Sequence, residues 1–150
     1  MNTNRKSGKL AWIGWLLVGI GAAAVIALLA VPWSMADAAG LSDDVTVVGV
    51  SVLRCTVSDE PEMVTVQDRE GCRQIVDQLR TCKGRWNGFA GKTFIQDHGV
   101  SYEIYISRPD EQPVHYRLFD GKLYCGRFRY TLTSSAAAAL TQCITELMEK

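Results

Sequence analysis

The sequence predicts an α+β protein: an N-terminal transmembrane helix followed by a two-layer domain, mainly antiparallel sheet with two helices, in the order β-β-α-β-β-β-β-α. Three observations carry this reading. Residues 10–35 contain no charged side chain. Much of the remaining chain is valine-rich or alternates apolar with polar residues, as half-buried strands do. Two later stretches instead repeat apolar residues at helical spacing.

The uncharged run, LAWIGWLLVGIGAAAVIALLAVPWSM, has 26 residues. About 20 helical residues cross a bilayer core of ~30 Å. Trp12, Trp15 and Trp33 lie towards its ends, where indole rings favour membrane interfaces. Arg5, Lys6 and Lys9 precede the run, whereas Asp37, Asp43 and Asp44 follow it. The positive-inside rule then places the N-terminus in the cytoplasm and the C-terminal domain outside. The expected division is a cytoplasmic basic tail over 1–9, a transmembrane anchor or signal peptide over 10–35, a linker over 36–44 and an extracytoplasmic domain over 45–150. The expected location is the cell membrane, single-pass, with the membrane itself a partner through the N-terminal helix.

A cleaved signal peptide is the alternative, and it would make the domain a secreted one. Ser34-Met35-Ala36 and Ala36-Asp37-Ala38 both supply a small-x-small site. The run exceeds the usual h-region of about 7–15 residues, which favours retention. Gly19, Ala23 and Ala27 form a small-xxx-small row of the kind that lets helices pack closely.

Beyond the linker, residues 45–53 are dense in valine and predict a strand, extending towards Val57. Ser58-Asp59-Glu60-Pro61 breaks it, and residues 63–66 return. Asp68 is a fitting N-cap for a helix whose stripe is Cys72, Ile75, Val76, Leu79 and Cys82, with Gly84 as its C-cap glycine. Trp86, Asn87 and Gly88 read as a loop. Strands are expected over 92–96, 101–107, 114–119 and 122–132. Asp120-Gly121 is a favoured two-residue hairpin turn, which sets Phe119 opposite Lys122, Leu118 opposite Leu123 and Tyr116 opposite Cys125. Apolar parity changes after Cys125, so a bulge is expected at Gly126. Thr133, Ser134 or Ser135 caps a last helix whose stripe is Ala136, Leu140, Cys143, Ile144 and Leu147.

Charge narrows the function classes. From Asp37 onwards the chain carries 13 cations and 16 acids, a net −3. That balance argues against a nucleic-acid partner. The five cysteines, Cys55, Cys72, Cys82, Cys125 and Cys143, include no C-x-x-C pair and no close ligand pair for zinc. No metal or cofactor is expected. Cys72 and Cys82 lie about 15 Å apart along one helix, too far to bridge. Cys125 and Cys143 both point inward and form the candidate disulfide, if the compartment is oxidising. His98 sits in the Asp97-His98-Gly99 turn and His115 has an outward parity, so both read as surface histidines and no catalytic residue is assigned. Lys122, Tyr124, Arg127 and Arg129 interleave cations with aromatics and are the candidate surface-binding residues.

Val64-x-Val66-x-Asp68, Tyr102-x-Ile104-x-Ile106 and Leu123-Tyr124 with Gly126 and Tyr130 together form a pattern that resembles small uncharacterised bacterial extracytoplasmic domains tethered by a signal or membrane anchor. The resemblance covers most of residues 45–148. It implies a compartment and brings no activity with it. The expected function is a single-pass, membrane-anchored extracytoplasmic domain that serves as a non-catalytic binding or interaction module for a protein or cell-surface partner. The alternatives are a hydrolase or thiol enzyme with an unrecognised site, or a small-ligand sensor or accessory subunit of a membrane complex.

Overall fold

The computed structural model describes residues 6–41, 45–57, 59–91, 99–109 and 111–149. They fall into two compact units, Met1–Val31 and Pro32–Lys150. The first holds helix α1 (Lys6–Ala30), with large apolar side chains such as Trp12, Trp15 and Ile20 exposed.

Among the described residues, no helix is long and apolar enough to cross a membrane. The expected transmembrane helix is therefore corrected. The uncharged run is also not one element. It leaves α1 after Ala30, and its last residues form strand β1 (Trp33–Ser34) and open helix α2 (Met35–Ala38). Met35, Ala36 and Leu41 are buried in the core of the second unit. The described part of the expected linker is thus folded.

Strands β2 (Gly49–Thr56) and β3 (Glu62–Val66) follow, then helix α3 (Arg69–Thr81) and strands β4 (Lys83–Phe89), β5 (Val100–Ser107), β6 (Val114–Phe119), β7 (Lys122–Cys125) and β8 (Phe128–Leu132). Helix α4 (Ser134–Met148) closes the chain. The strands form one eight-stranded sheet in the order β1-β4-β8-β7-β6-β5-β2-β3. Every pairing is antiparallel. The class is α+β, as expected, but among the described residues there are eight strands and four helices rather than six strands and a spanning helix ahead of two more.

Alternation decides which face of the sheet is buried. Val50 and Val52, Ile104 and Ile106, Tyr116 and Leu118, Leu123 and Cys125, and Tyr130 and Leu132 all join a single hydrophobic core. The inner stripes of α3 (Cys72, Ile75, Val76, Leu79) and α4 (Leu140, Cys143, Ile144, Leu147) complete it. Asp68 caps α3 by accepting from Gly71 N at 2.8 Å. Thr133 caps α4 by accepting from Ala136 N at 3.2 Å. The Asp120-Gly121 turn has both residues left-handed, φ 49° and 65°, and the strand register across it is the expected one.

Three further differences have local causes. The stretch read as a loop around Trp86 is strand β4; a register shift between Trp86 and Phe89, with Gly88 at φ 92°, lets the irregular sequence pair with β8. Gly84, the expected cap, lies inside β4, and Cys82 caps α3 instead. The parity change at Gly126 is a reversal rather than a bulge: Cys125 pairs with Phe128, so β7 turns back into β8 through Gly126 and Arg127. The strand expected over 92–96 lies outside the described residues.

Tyr116, wholly buried on the central strand β6, donates its hydroxyl to Met35 O at 2.9 Å. Burial raises its pKa far above the ordinary value, so it stays a neutral donor.

Leu79→Ala and Ile144→Ala should each lower unfolding free energy by about 2–5 kcal/mol in urea titrations, whereas a loss under about 0.5 kcal/mol marks a surface position. Tyr116→Phe should cost about 1–3 kcal/mol, because Met35 O is left buried without its donor; an unchanged urea midpoint would remove that bond from the account.

Candidate functional site

The alternation that buries one set of side chains turns the other set to the opposite face. Strand register then lines them up in rows. One row runs Met63, Leu53, Glu103, Arg117, Tyr124, Arg129 across β3, β2, β5, β6, β7 and β8. A second runs Thr65, Ser51, Tyr105, His115. The rows meet in a compact polar constellation on neighbouring strands β5 and β6.

Glu103 is its centre. The side chain is only 12% exposed. Tyr105 donates its hydroxyl to Glu103 Oε2 at 2.5 Å. Arg117 donates to Glu103 Oε1 and forms an ion pair with it. His115 Nε2 is buried, makes no hydrogen bond and faces Glu103 Oε2 at 3.4 Å. The Tyr105 and His115 rings stack, with centroids 4.6 Å apart and planes 13° from parallel.

Electrostatics follow from this packing. Burial alone would raise the Glu103 pKa. The hydrogen bonds from Tyr105 and Arg117, with the charges of Arg117 and His115, outweigh it and hold the carboxyl below its usual range. Donation to that carboxylate, with burial, pushes the Tyr105 phenol up to about 12. Cys55 lies half-buried on the same face, beside Leu53 along β2. Desolvation and the Glu103 charge raise its thiol pKa, partly offset by Arg117.

Three of the four surface-binding residues read from the sequence gather on this face. Tyr124 pairs with Arg117 on one side and Arg129 on the other, while Lys122 stands opposite Thr131. Arg129 also grips the backbone of β4, donating to Asn87 O through Nε at 3.0 Å and Nη2 at 2.7 Å. Arg127 is apart from them, exposed in the turn between β7 and β8. Glu103, Tyr105 and Arg117 are absent from the sequence reading, and His115 stands there only as a surface residue. The available signal was a Glu and an Arg at outward positions of two strands, but it needs the β5–β6 register to become a pair.

The candidate disulfide residues Cys125 and Cys143 are both buried in the single core. Burial pushes Cys82 and Cys125 up to about 11. His98 lies outside the described residues. Among the described residues, no group of three or more His, Cys, Asp or Glu side chains could hold a metal ion.

Away from this face, a concavity of about 420 Å³ is lined by Val45–Val47 and by Arg69, Cys72, Arg73, Val76 and Arg80 of α3. Asp77 already pairs with Arg73 at 3.4 Å and Arg80 at 3.0 Å, which spends much of its positive charge inside the helix.

The chain matches no protein-family model, and no curated protein or solved structure is similar to it.

The depressed Glu103 pKa fixes the sign of a pH effect. A carboxylate held below its unfolded value stabilises the fold above that unfolded value, and the contribution disappears as pH falls through the folded one. Glu103→Gln should lower the urea midpoint at about pH 7 and flatten its decline towards about pH 3. Parallel acid limbs for the two proteins would show that Glu103 does not couple to folding.

Proposed function

We propose that the domain is a non-catalytic interaction module whose sheet face opposite the helices takes the acidic surface of a partner protein. One observation carries the reading: the row Met63, Leu53, Glu103, Arg117, Tyr124 and Arg129, with the Tyr105–His115 stack beside it. Met, Tyr and Arg are the residue types enriched where proteins bury surface against each other. Met63 is 65% exposed. Glu103 holds Arg117 and Tyr105 in place, so less side-chain freedom is lost on docking.

Charge selects the partner. Among the described residues of this face and its β6–β7 turn, Lys83, Arg85, Arg117, Lys122 and Arg129 stand against Glu103 and Asp120, the latter paired with Lys122 at 3.5 Å. The excess is positive, and it favours an acidic surface. The raised thiol pKa values of Cys55, Cys72, Cys82 and Cys125 weigh against a thiol enzyme, since the thiolate is the nucleophile. The proposal keeps the location outside the cytoplasm, for which the resemblance of residues 45–148 to extracytoplasmic domains is the support.

The test is crosslinking on intact cells with a membrane-impermeant reagent, followed by affinity measurement with the captured protein. Tyr124→Ala and Arg129→Ala should each weaken binding about tenfold or more, as central interface residues do, and added salt should slow association. Capture of a wall or surface polymer in place of a protein would overturn the choice of partner. Binding unaffected by either substitution would overturn the choice of face.

A further inference from the structure

The sequence offers two small-x-small sites, ending at Ala36 and at Ala38. Cleavage at the first would leave a chain beginning at Asp37, and at the second a chain beginning at Ala39. The fold shows what either product would lack. β1 pairs with β4, placing Trp33 opposite Gly84 and Ser34 opposite Lys83. Met35 N donates to Cys82 O at 3.0 Å, tying the segment to the end of α3. Met35 O accepts the buried Tyr116 hydroxyl. Met35 and Ala36 are fully buried, and Leu41 is 1% exposed.

The surroundings of this strap are shaped to receive it. A Cβ built on Gly84 would lie 3.1 Å from Met35 Cε and 3.0 Å from Leu132 Cδ2, so the Met35 side chain occupies the room beside that glycine. The return from α2 is closed by Leu41 N donating to Ala36 O at 2.9 Å, through Gly40 at φ 70°. A product beginning at Asp37 or Ala39 would leave Tyr116 with a buried, unanswered hydroxyl. It would also open a cavity where Met35 packs.

We infer that the chain is not processed at either site: residues 33–41 are a permanent strap of the domain core, and the apolar segment ahead of Pro32 stays covalently attached to the folded protein. The inference is independent of the binding reading, because it concerns the opposite face of the sheet.

Intact mass and N-terminal sequencing of the full chain, recovered from cells that make it, give the first test. The expected product starts upstream of Pro32 and retains residues 33–41. A recovered protein starting at Asp37 or Ala39 would overturn the inference. The second test uses substitutions in the full chain. Met35→Ala should lower the melting midpoint by about 10 °C, and Val31→Ala should leave it within about 2 °C of the parent. An unchanged midpoint for Met35→Ala would show that the strap is dispensable, and the inference would fall with it.

Discussion

The structure depends on one constraint: an eight-stranded antiparallel sheet buries a single face. Once α3 and α4 cover that face, the period of two along each strand decides the fate of nearly every side chain. Tyr116 shows how strict the rule is. It sits on the central strand between two outward residues, His115 and Arg117, and is itself wholly buried. Its hydroxyl could have been a defect in the core. It is answered by Met35 O, a carbonyl from far upstream in the chain. The buried face thereby recruits the start of the domain to its own polar needs.

The outward face meets the opposite problem, since charged groups there are partly withdrawn from water. Glu103 is more shielded than any of its ionic partners. A carboxylate so placed is stable only with donors aimed at it, and Tyr105 and Arg117 supply them from its own strand and the next. The constellation is therefore both a fastening between β5 and β6 and a rigid polar surface. Either use is compatible with the other, because the groups that fasten the strands are the same groups a partner would meet.

Sequence reasoning recovers much of this domain because its signals are local. The Asp120-Gly121 turn fixed a register that holds across β6 and β7. The stripes of α3 and α4 named the buried residues, from Ile75 and Leu79 to Leu140 and Ile144. β4 escaped because Asn87 and Gly88 look like loop residues; pairing with β8 overrides that preference through a local shift of register. The turn at Gly126 escaped because a bulge and a reversal both exchange the faces of a strand. Met35 and Ala36 escaped because they end an apolar run, where a core position and a membrane position have the same composition. The face residues divide similarly. Lys122, Tyr124 and Arg129 are close in sequence and could be grouped. Glu103 and Arg117 meet only once β5 is set beside β6, and no local feature announces that register.

The irregular end of β4 bears on how copies of this protein avoid one another. β4 carries only a two-residue neighbour, β1, on one side, and further along its register slips around the left-handed Gly88. A long straight margin would offer an array of amides and carbonyls on which a foreign strand could polymerise. Here the margin is short where it is straight and bent where it is long, and the Asn87 carbonyl is already held by the Arg129 guanidinium. Such a border is a poor template for fibre growth. The opposite border is β3, a strand of only five residues that opens on the charged Glu62.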